Sequence, residues 1–281
     1  MYICTNMFNR DVMRTLLIVL TCFVVFVSCG KQNDNMVEIS TPYGTMRAVL
    51  YDDTPIHKKN FLRLVEAGEY DSLLFHRVIR GFMIQGGDPN SRHADRNTKL
   101  GVSEIGEPIP SEIVYPKYFH KRGALVAARK PDSVNPEKMS SGSQFYIVQG
   151  AVYDSVALDN VELEFNNVMR RDIFYEVQPY YQDSLIYYQE QGMAIELSEL
   201  QLRIMAKVQE LAEQKGLFKF TPEVREVYQT VGGTPQLDGK YTVFGEVVDG
   251  FEVLDSIAET MTERPSDRPI EDIWMTIKVV E

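Results

Sequence analysis

The sequence predicts a mainly β domain that is interrupted by an inserted α-helical subdomain. Short strand patterns separated by glycine and proline turns occupy residues 37–150, and similar patterns return over residues 233–281. Residues 151–232 instead carry apolar residues three or four positions apart, a spacing typical of helices. We therefore assign 37–150 and 233–281 to one β domain and 151–232 to a helical insertion.

A β-hairpin is predicted at the start of the β domain. Residues 37–40 and 45–51 have strand-like sequence, and residues 42–44 between them have the composition of a turn. A helix should follow, because Thr54 can cap its N-terminus and Pro55 suits its first position.

The insertion contains several predicted helices, and the clearest covers residues 196–215. Its apolar face consists of Leu200, Ile204, Val208, Leu211 and Ala212. Residues 221–222 supply a cap and a first-turn proline for another helix. Residues 159–177 predict a third helix, which Pro179 would end, and residues 183–191 predict a shorter one.

The β domain resumes after the insertion. Residues 241–248 and 273–280 have strand-like sequence, and a short helix is predicted between them at residues 253–259.

Composition and charge narrow the class of protein. Of the 281 residues, 44% are apolar, which is enough for a substantial core, and the formal net charge is −11. Nucleic-acid binding depends on clustered Lys and Arg, so this charge argues against a nucleic-acid partner. The spacing of His57, His93 and His120 does not suit a metal site, and we predict no metal.

Residues 1–28 have the layout of a signal peptide. Arg10 and Arg14 precede an apolar run at residues 16–27. That run is about a dozen residues long, whereas a membrane-spanning helix needs about 20. A permanent transmembrane anchor is therefore the less favoured alternative, and we expect an exported protein.

Cysteine usage suggests lipidation at Cys29. All three cysteines, Cys4, Cys22 and Cys29, lie within or directly after residues 1–28. A lone cysteine after such a run and a small residue resembles the bacterial lipobox, in which the cysteine becomes the lipidated N-terminus. Residues 29–36 would then be a spacer, and the protein a membrane-anchored lipoprotein of the cell envelope, facing the periplasm or the cell surface. A cleaved secretory signal with an incidental cysteine is the alternative.

Three separate segments carry a resemblance to a known family. Residues 75–89 read FHRVIRGFMIQGGDP, residues 141–147 read SGSQFYI and residues 237–245 read LDGKYTVFG. In this order they resemble the characteristic segments of cyclophilin-type peptidyl-prolyl cis/trans isomerases. The resemblance implies a closed eight-stranded antiparallel β-barrel capped by two helices, with the active site on its outer face.

The resemblance also implies a reaction that needs no cofactor and no covalent intermediate. Cyclophilins rotate the peptide bond before proline, and amide resonance gives that rotation a barrier of about 18–20 kcal/mol. A catalyst favours the twisted bond, whose proline nitrogen can accept a hydrogen bond. By resemblance, Arg77 is the catalytic donor and Gln85 is the catalytic residue that holds it.

The same resemblance assigns the substrate-binding residues. They are Phe82, Met83, Ala128, Arg129, Gln144, Tyr146, Leu237 and Tyr241. Three positions depart from the common family pattern, since Tyr146 replaces phenylalanine, Gln236 replaces tryptophan and Tyr241 replaces histidine. On spacing alone the apolar members would be interpreted as core residues, and the three-segment resemblance favours the site.

Two functions remain open at this point. The first is an isomerase for X–Pro bonds of exported proteins, with proline-containing polypeptides as clients and an insertion that shapes client choice. The alternative is an envelope chaperone or docking module that holds proline segments and isomerises them incidentally. In either case we expect a monomer, tethered to the membrane by its N-terminal lipid.

Overall fold

The computed structural model describes residues 35–280, which contain eleven strands and six α-helices. The strands are β1 (Met36–Thr41), β2 (Gly44–Leu50), β3 (Leu73–Leu74), β4 (Arg77–Ile79), β5 (Met83–Gly86), β6 (Ala124–Ala127), β7 (Phe145–Val148), β8 (Val243–Asp249), β9 (Thr262–Glu263), β10 (Arg268–Pro269) and β11 (Trp274–Val279). The helices are α1 (Pro55–Glu66), α2 (Ser155–Val177), α3 (Gln182–Glu190), α4 (Ala194–Lys215), α5 (Pro222–Thr230) and α6 (Phe251–Ala258).

Strands β1 and β2 form the predicted hairpin. Val37 lies opposite Ala48, and Ile39 lies opposite Met46. All four side chains are buried, because alternate residues of a strand face the same side of the sheet. Helix α1 then begins at Pro55, as predicted. The predicted cap by Thr54 is wrong, because its side chain makes no cap hydrogen bond and its hydroxyl donates to the Tyr51 carbonyl at 3.3 Å.

Nine of the strands form one curled antiparallel sheet, in the order β3-β11-β1-β2-β8-β6-β7-β5-β4. Strands β9 and β10 pair separately. The family resemblance implied a closed barrel of eight strands. The higher count arises because one extended segment divides at Phe75 and His76 into β3 and β4, which lie at the two edges of the sheet. The strand pairs within residues 35–280 do not include one between these edges.

The sheet carries an apolar cluster on each face. Phe145 and Ile147 of β7 belong to the larger cluster, which also contains Leu254 of α6. Tyr146 and Val148 belong to the smaller cluster on the opposite face. Since side chains alternate along a strand, β7 contributes to both clusters and is buried throughout. The smaller cluster holds most of the predicted site.

The long helices of the insertion pack through the predicted apolar face of α4. Its residues Leu200, Ile204 and Val208 are buried in one cluster with Ile173 and Val177 of α2. The interior of the insertion therefore consists mainly of contacts between α2 and α4.

Side-chain caps set the starts of two insertion helices. The Asp154 carboxylate accepts a hydrogen bond from the Ala157 amide at 2.7 Å, so α2 begins four residues before the predicted residue 159. Thr221 caps α5, and Pro222 occupies its first turn, as predicted.

A further cluster joins the ends of the insertion to the β domain. Leu158 of α2 and Val224 and Tyr228 of α5 pack with Phe119, which precedes β6. Residues Asn35–Val279 accordingly form one compact unit.

The predicted signal peptide and Cys29 lie outside the described residues. Of the helices between residues 35 and 280, none is both long enough and apolar enough to cross a bilayer.

Candidate active site

Strand register brings the predicted catalytic residues together. Arg77 of β4 lies opposite Gln85 of β5, and Gln85 lies opposite Tyr146 of β7. Met83 is two residues from Gln85 and therefore shares its face. Because side chains alternate between the two faces of each strand, β4, β5 and β7 place these residues on one face of the sheet, although Tyr146 is far from the others in sequence.

A chain of hydrogen bonds tethers the Arg77 guanidinium. Its Nη1 donates to Gln85 Oε1 at 3.4 Å, and Gln85 Nε2 donates to Gln144 Oε1 at 3.1 Å. Gln144 Nε2 in turn donates to the Ser103 carbonyl at 2.7 Å. The Arg77 side chain is 40% exposed, and its Nε lies 3.8 Å from Asp267 Oδ2. Gln85 therefore orients the guanidinium, and the exposed part of Arg77 keeps N–H donors available to solvent or substrate.

The predicted proline pocket corresponds to the smaller apolar cluster. Met83 and Tyr146 are buried within it, and Phe82, Leu237 and Tyr241 are partly buried around them. Ala128, just beyond β6, also packs against this cluster. The pocket therefore has buried inner walls and a partly open rim, as binding of an apolar ring requires.

The Tyr146 hydroxyl has a buried partner that compensates for the departure from phenylalanine. It lies 3.1 Å from His120 Nε2, and His120 Nδ1 lies 2.9 Å from Asp238 Oδ1. Burial raises the pKa of Tyr146 well above 10, so its hydroxyl remains a donor. In a neutral imidazole whose Nδ1–H donates to the carboxylate, Nε2 accepts from the Tyr146 hydroxyl. Tyr241 packs edge-on against both rings.

Asp238 extends this network into the insertion. Its Oδ1 also accepts from the His120 amide at 2.9 Å, and its Oδ2 accepts from the Tyr228 hydroxyl at 2.7 Å. Asp238 follows Leu237 of the pocket, whereas Tyr228 belongs to α5. The insertion is thus connected to the predicted proline pocket by a buried carboxylate. Sequence reasoning missed His120, Asp238 and Tyr228, although the extra hydroxyl at Tyr146 was a signal that a partner was needed.

The Arg129 guanidinium binds to other groups of the protein. It lies 4.6 Å from the centre of the Tyr241 ring, and its Nε donates to the Lys240 carbonyl at 2.8 Å. Its Nη1 also lies 2.5 Å from Asp132 Oδ1, and only 5% of the side chain is exposed. The structure places Arg129 beside the pocket as a support for Tyr241, and its contact with substrate stays a prediction.

A cavity of about 570 Å³ adjoins the polar side of the site. Gln85, Ala128, Arg129 and Gln144 contribute to its walls, which also include charged residues such as Glu104. The cavity would leave room for an extended polypeptide beside the predicted proline pocket.

The described residues offer no metal centre. Between residues 35 and 280, no group of three or more His, Cys, Asp or Glu side chains is arranged to hold an ion.

Comparison with known proteins identifies the family. The sequence profile of the family described as cyclophilin type peptidyl-prolyl cis-trans isomerase/CLD matches residues 36–174 and 225–280. The chain belongs to this family and is a cyclophilin-type peptidyl-prolyl cis/trans isomerase.

Bacterial relatives support the same assignment. A candidate peptidyl-prolyl cis-trans isomerase of Staphylococcus saprophyticus is 28% identical, covering 83% of this chain and 85% of the relative. A candidate bifunctional phosphatase/peptidyl-prolyl cis-trans isomerase of Streptococcus pyogenes is 32% identical over 87% of this chain. The chain spans only 38% of that streptococcal protein.

A solved structure supports the fold. The crystal structure of a cyclophilin type peptidyl-prolyl cis-trans isomerase from Cryptosporidium parvum is similar with a TM-score of 0.52 and 23% identity. The match covers 88% of this chain and 98% of the Cryptosporidium parvum protein.

Proposed function

We propose that the chain isomerises X–Pro bonds of exported polypeptides, with Arg77 donating a hydrogen bond to the proline nitrogen in the twisted state. The observation that carries this proposal is the position of the Arg77 guanidinium. It is tethered by Gln85 and partly exposed, and it lies on the strand next to the one that supplies Met83 to the apolar pocket.

The mechanism follows from what each part of the site does to the imide bond. The apolar pocket around Met83 and Tyr146 holds the proline ring, so rotation occurs on the acyl side of the bond. Twisting removes amide resonance and returns a lone pair to the proline nitrogen. A guanidinium already oriented by Gln85 stabilises that lone pair more than it stabilises the planar bond, which lowers the barrier.

The same proposal includes a closed barrel. Strands β3 and β4 are the two edges of the sheet, yet only Phe75 and His76 separate them in the chain. This two-residue connection supports closure, because it keeps the edge strands β3 and β4 close together. Closure of this kind does not need hydrogen bonds between the two strands.

Export and lipid attachment complete the proposal. They are supported by the signal-peptide layout of residues 1–28 and by the position of Cys29 directly after it. The clients would then be proline-containing polypeptides of the envelope, reached from a membrane-held enzyme.

Arg77→Ala tests the catalytic role. Removing a preorganised donor costs about 2.7–4 kcal/mol in comparable sites, so kcat/KM for an X–Pro tetrapeptide should fall about a hundred- to a thousandfold. The matched control is Arg80→Ala, since Arg80 is 76% exposed and its nearest carboxylate, on Glu259, is 3.5 Å away. The control should retain wild-type activity.

The same assay separates the isomerase from the alternative binding module. A chaperone that only holds proline segments would bind the peptide without accelerating exchange between its cis and trans signals in NMR. An unchanged rate in a folded Arg77→Ala protein would remove Arg77 from the mechanism.

A further inference from the structure

A second cavity lies beside the proline pocket, between the insertion and the β domain. Its volume is about 320 Å³. Helix α2 supplies one wall, and residues on either side of Leu237 supply the other. The lining includes Val161, Glu164, Phe165, Val168, Gln236 and Lys240.

The wall formed by α2 is mainly apolar. Val161, Phe165 and Val168 follow one another at intervals of four and three residues, so they lie on one face of the helix. Phe165 is held in place by the Phe218 ring, with 4.5 Å between the ring centres. Val168 remains 38% exposed. This face is therefore organised by the protein and still open to a ligand.

The opposite wall provides a cation at the edge of the apolar surface. Lys240 Nζ lies 4.5 Å from the centre of the Phe165 ring and donates to the Gln236 carbonyl at 2.9 Å. Among the described residues, no carboxylate lies within 4.0 Å of this ammonium. Burial lowers the pKa of Lys240. Since no carboxylate among the described residues pairs with it, the ammonium can bind a carbonyl oxygen of a chain that enters the cavity.

The cavity and the proline pocket are linked by residues 236–240 of the chain. Leu237 belongs to the pocket cluster, and it lies in the chain between Gln236 and Lys240, which line the cavity. Lys240 is three positions after Leu237, so at most about 10 Å separates the backbones of these two residues. An extended polypeptide rises about 3.3 Å per residue and covers this distance in two or three residues. A client whose proline contacts Leu237 therefore reaches the cavity with a residue two or three positions away.

We propose that this cavity is a client subsite for a large apolar side chain two or three residues from the isomerised proline. The proposal rests on the proposed function, since the proline pocket sets where the client lies. The insertion then selects clients directly, through α2, and favours proline segments that carry Phe, Leu or Met at that distance over segments with Ala.

A peptide scan tests the subsite. The parent is a fluorescein-labelled peptide with one Pro and Ala elsewhere, and Phe is placed at each position from three before to three after the proline. We expect Phe at one position two or three residues from proline to raise kcat/KM about tenfold and to lower Kd by the same factor. The rate is measured by NMR exchange and Kd by fluorescence anisotropy.

Two variants on α2 form a matched pair. Val168→Glu places a charge in the cavity, and Leu163→Glu places the same charge on the same helix at a residue that is 51% exposed and outside the lining. Val168→Glu should reduce the preference for Phe to within twofold of Ala and leave the parent peptide unaffected. Leu163→Glu should retain the full preference.

Each other outcome has a defined meaning. If no Phe position helps while the parent is isomerised, the subsite is wrong and the isomerase proposal stands. If no peptide is isomerised yet the anisotropy preference appears and is lost in Val168→Glu, the subsite stands and the proposed function fails. Equal effects of the two glutamates, or a dimer in sedimentation that Val168→Glu dissociates, would overturn the subsite.

Discussion

Replacing Tyr228 with phenylalanine should weaken the β domain and the proline pocket together. The Tyr228 hydroxyl donates to Asp238 Oδ2 at 2.7 Å, and both residues are buried. Burial, with a further contribution from Asp238, raises the pKa of this tyrosine, so it stays a donor. Phenylalanine retains the edge-on packing against Phe119 and Phe220. It removes the hydrogen bond to Asp238, which is the only one that the insertion makes with this carboxylate among the described residues.

The size of the effect follows from the charge and burial of Asp238. A hydrogen bond to a charged group contributes about 1.5–3 kcal/mol, and a carboxylate that is 2% exposed has little water to replace it. We therefore expect the free energy of unfolding to fall by about 2 kcal/mol, which lowers Tm by about 4–8 °C for a chain of this size. Because Asp238 adjoins Leu237 and holds His120, kcat/KM for a tetrapeptide should fall about three- to tenfold.

Urea unfolding followed by circular dichroism measures the first effect, and NMR exchange of an X–Pro tetrapeptide measures the second. The control is Tyr153→Phe, whose hydroxyl donates to Gln236 Oε1 at 3.2 Å at an exposed site. Its stability should change by less than about 0.5 kcal/mol. If Tyr228→Phe is no less stable than this control, the argument for a buried anchor is refuted. If stability falls and kcat/KM does not, the connection to the pocket is wrong.

Three further predictions concern the buried histidine, the altered pocket wall and the N-terminus. Burial lowers the pKa of His76 from 6.5 to about 4, so the unfolded chain binds more protons between these values. The stability advantage of wild type over His76→Asn should therefore shrink by about 3 kcal/mol as the pH falls from 7 to 4, and a pH-independent difference would contradict this. Tyr146→Phe should destabilise the protein by about 1–2 kcal/mol, because His120 Nε2 loses its partner, while tetrapeptide activity stays within about threefold. A larger loss of activity would assign the hydroxyl a role in substrate binding. Cys29→Ala should move the protein from the membrane fraction to the soluble envelope fraction, and retention after a high-salt wash would argue against lipidation.

Local features that the sequence predicted well depend on near neighbours in the chain. The β1–β2 hairpin follows from a turn between two alternating segments, and the start of α5 follows from Thr221 and Pro222. The apolar face of α4 follows from helical spacing. In each case the physical cause acts over a few residues, so it can be detected from sequence alone.

The two departures have different causes, one local and one that acts across the fold. Helix α2 begins earlier than predicted because a cap at Asp154 adds a first turn to the apolar spacing. The strand count differs because the segment around Phe75 and His76 pairs with different partners at its two ends, β11 at one and β5 at the other. Neither partner is specified by that segment itself.

The sequence by itself determined the family, and it predicted a β domain with a helical insertion and a set of residue types suited to binding a proline ring beside a guanidinium. Only the tertiary structure decided what supports them. His120 and Asp238 are 118 positions apart, and their contact depends on the packing of β6, β8 and α5, not on any local pattern. The same packing buries the Arg129 side chain and leaves a cavity that α2 lines together with Gln236 and Lys240. Side-chain orientation and cavities arise from contacts between distant segments, which is the physical reason that spacing along the chain does not predict them.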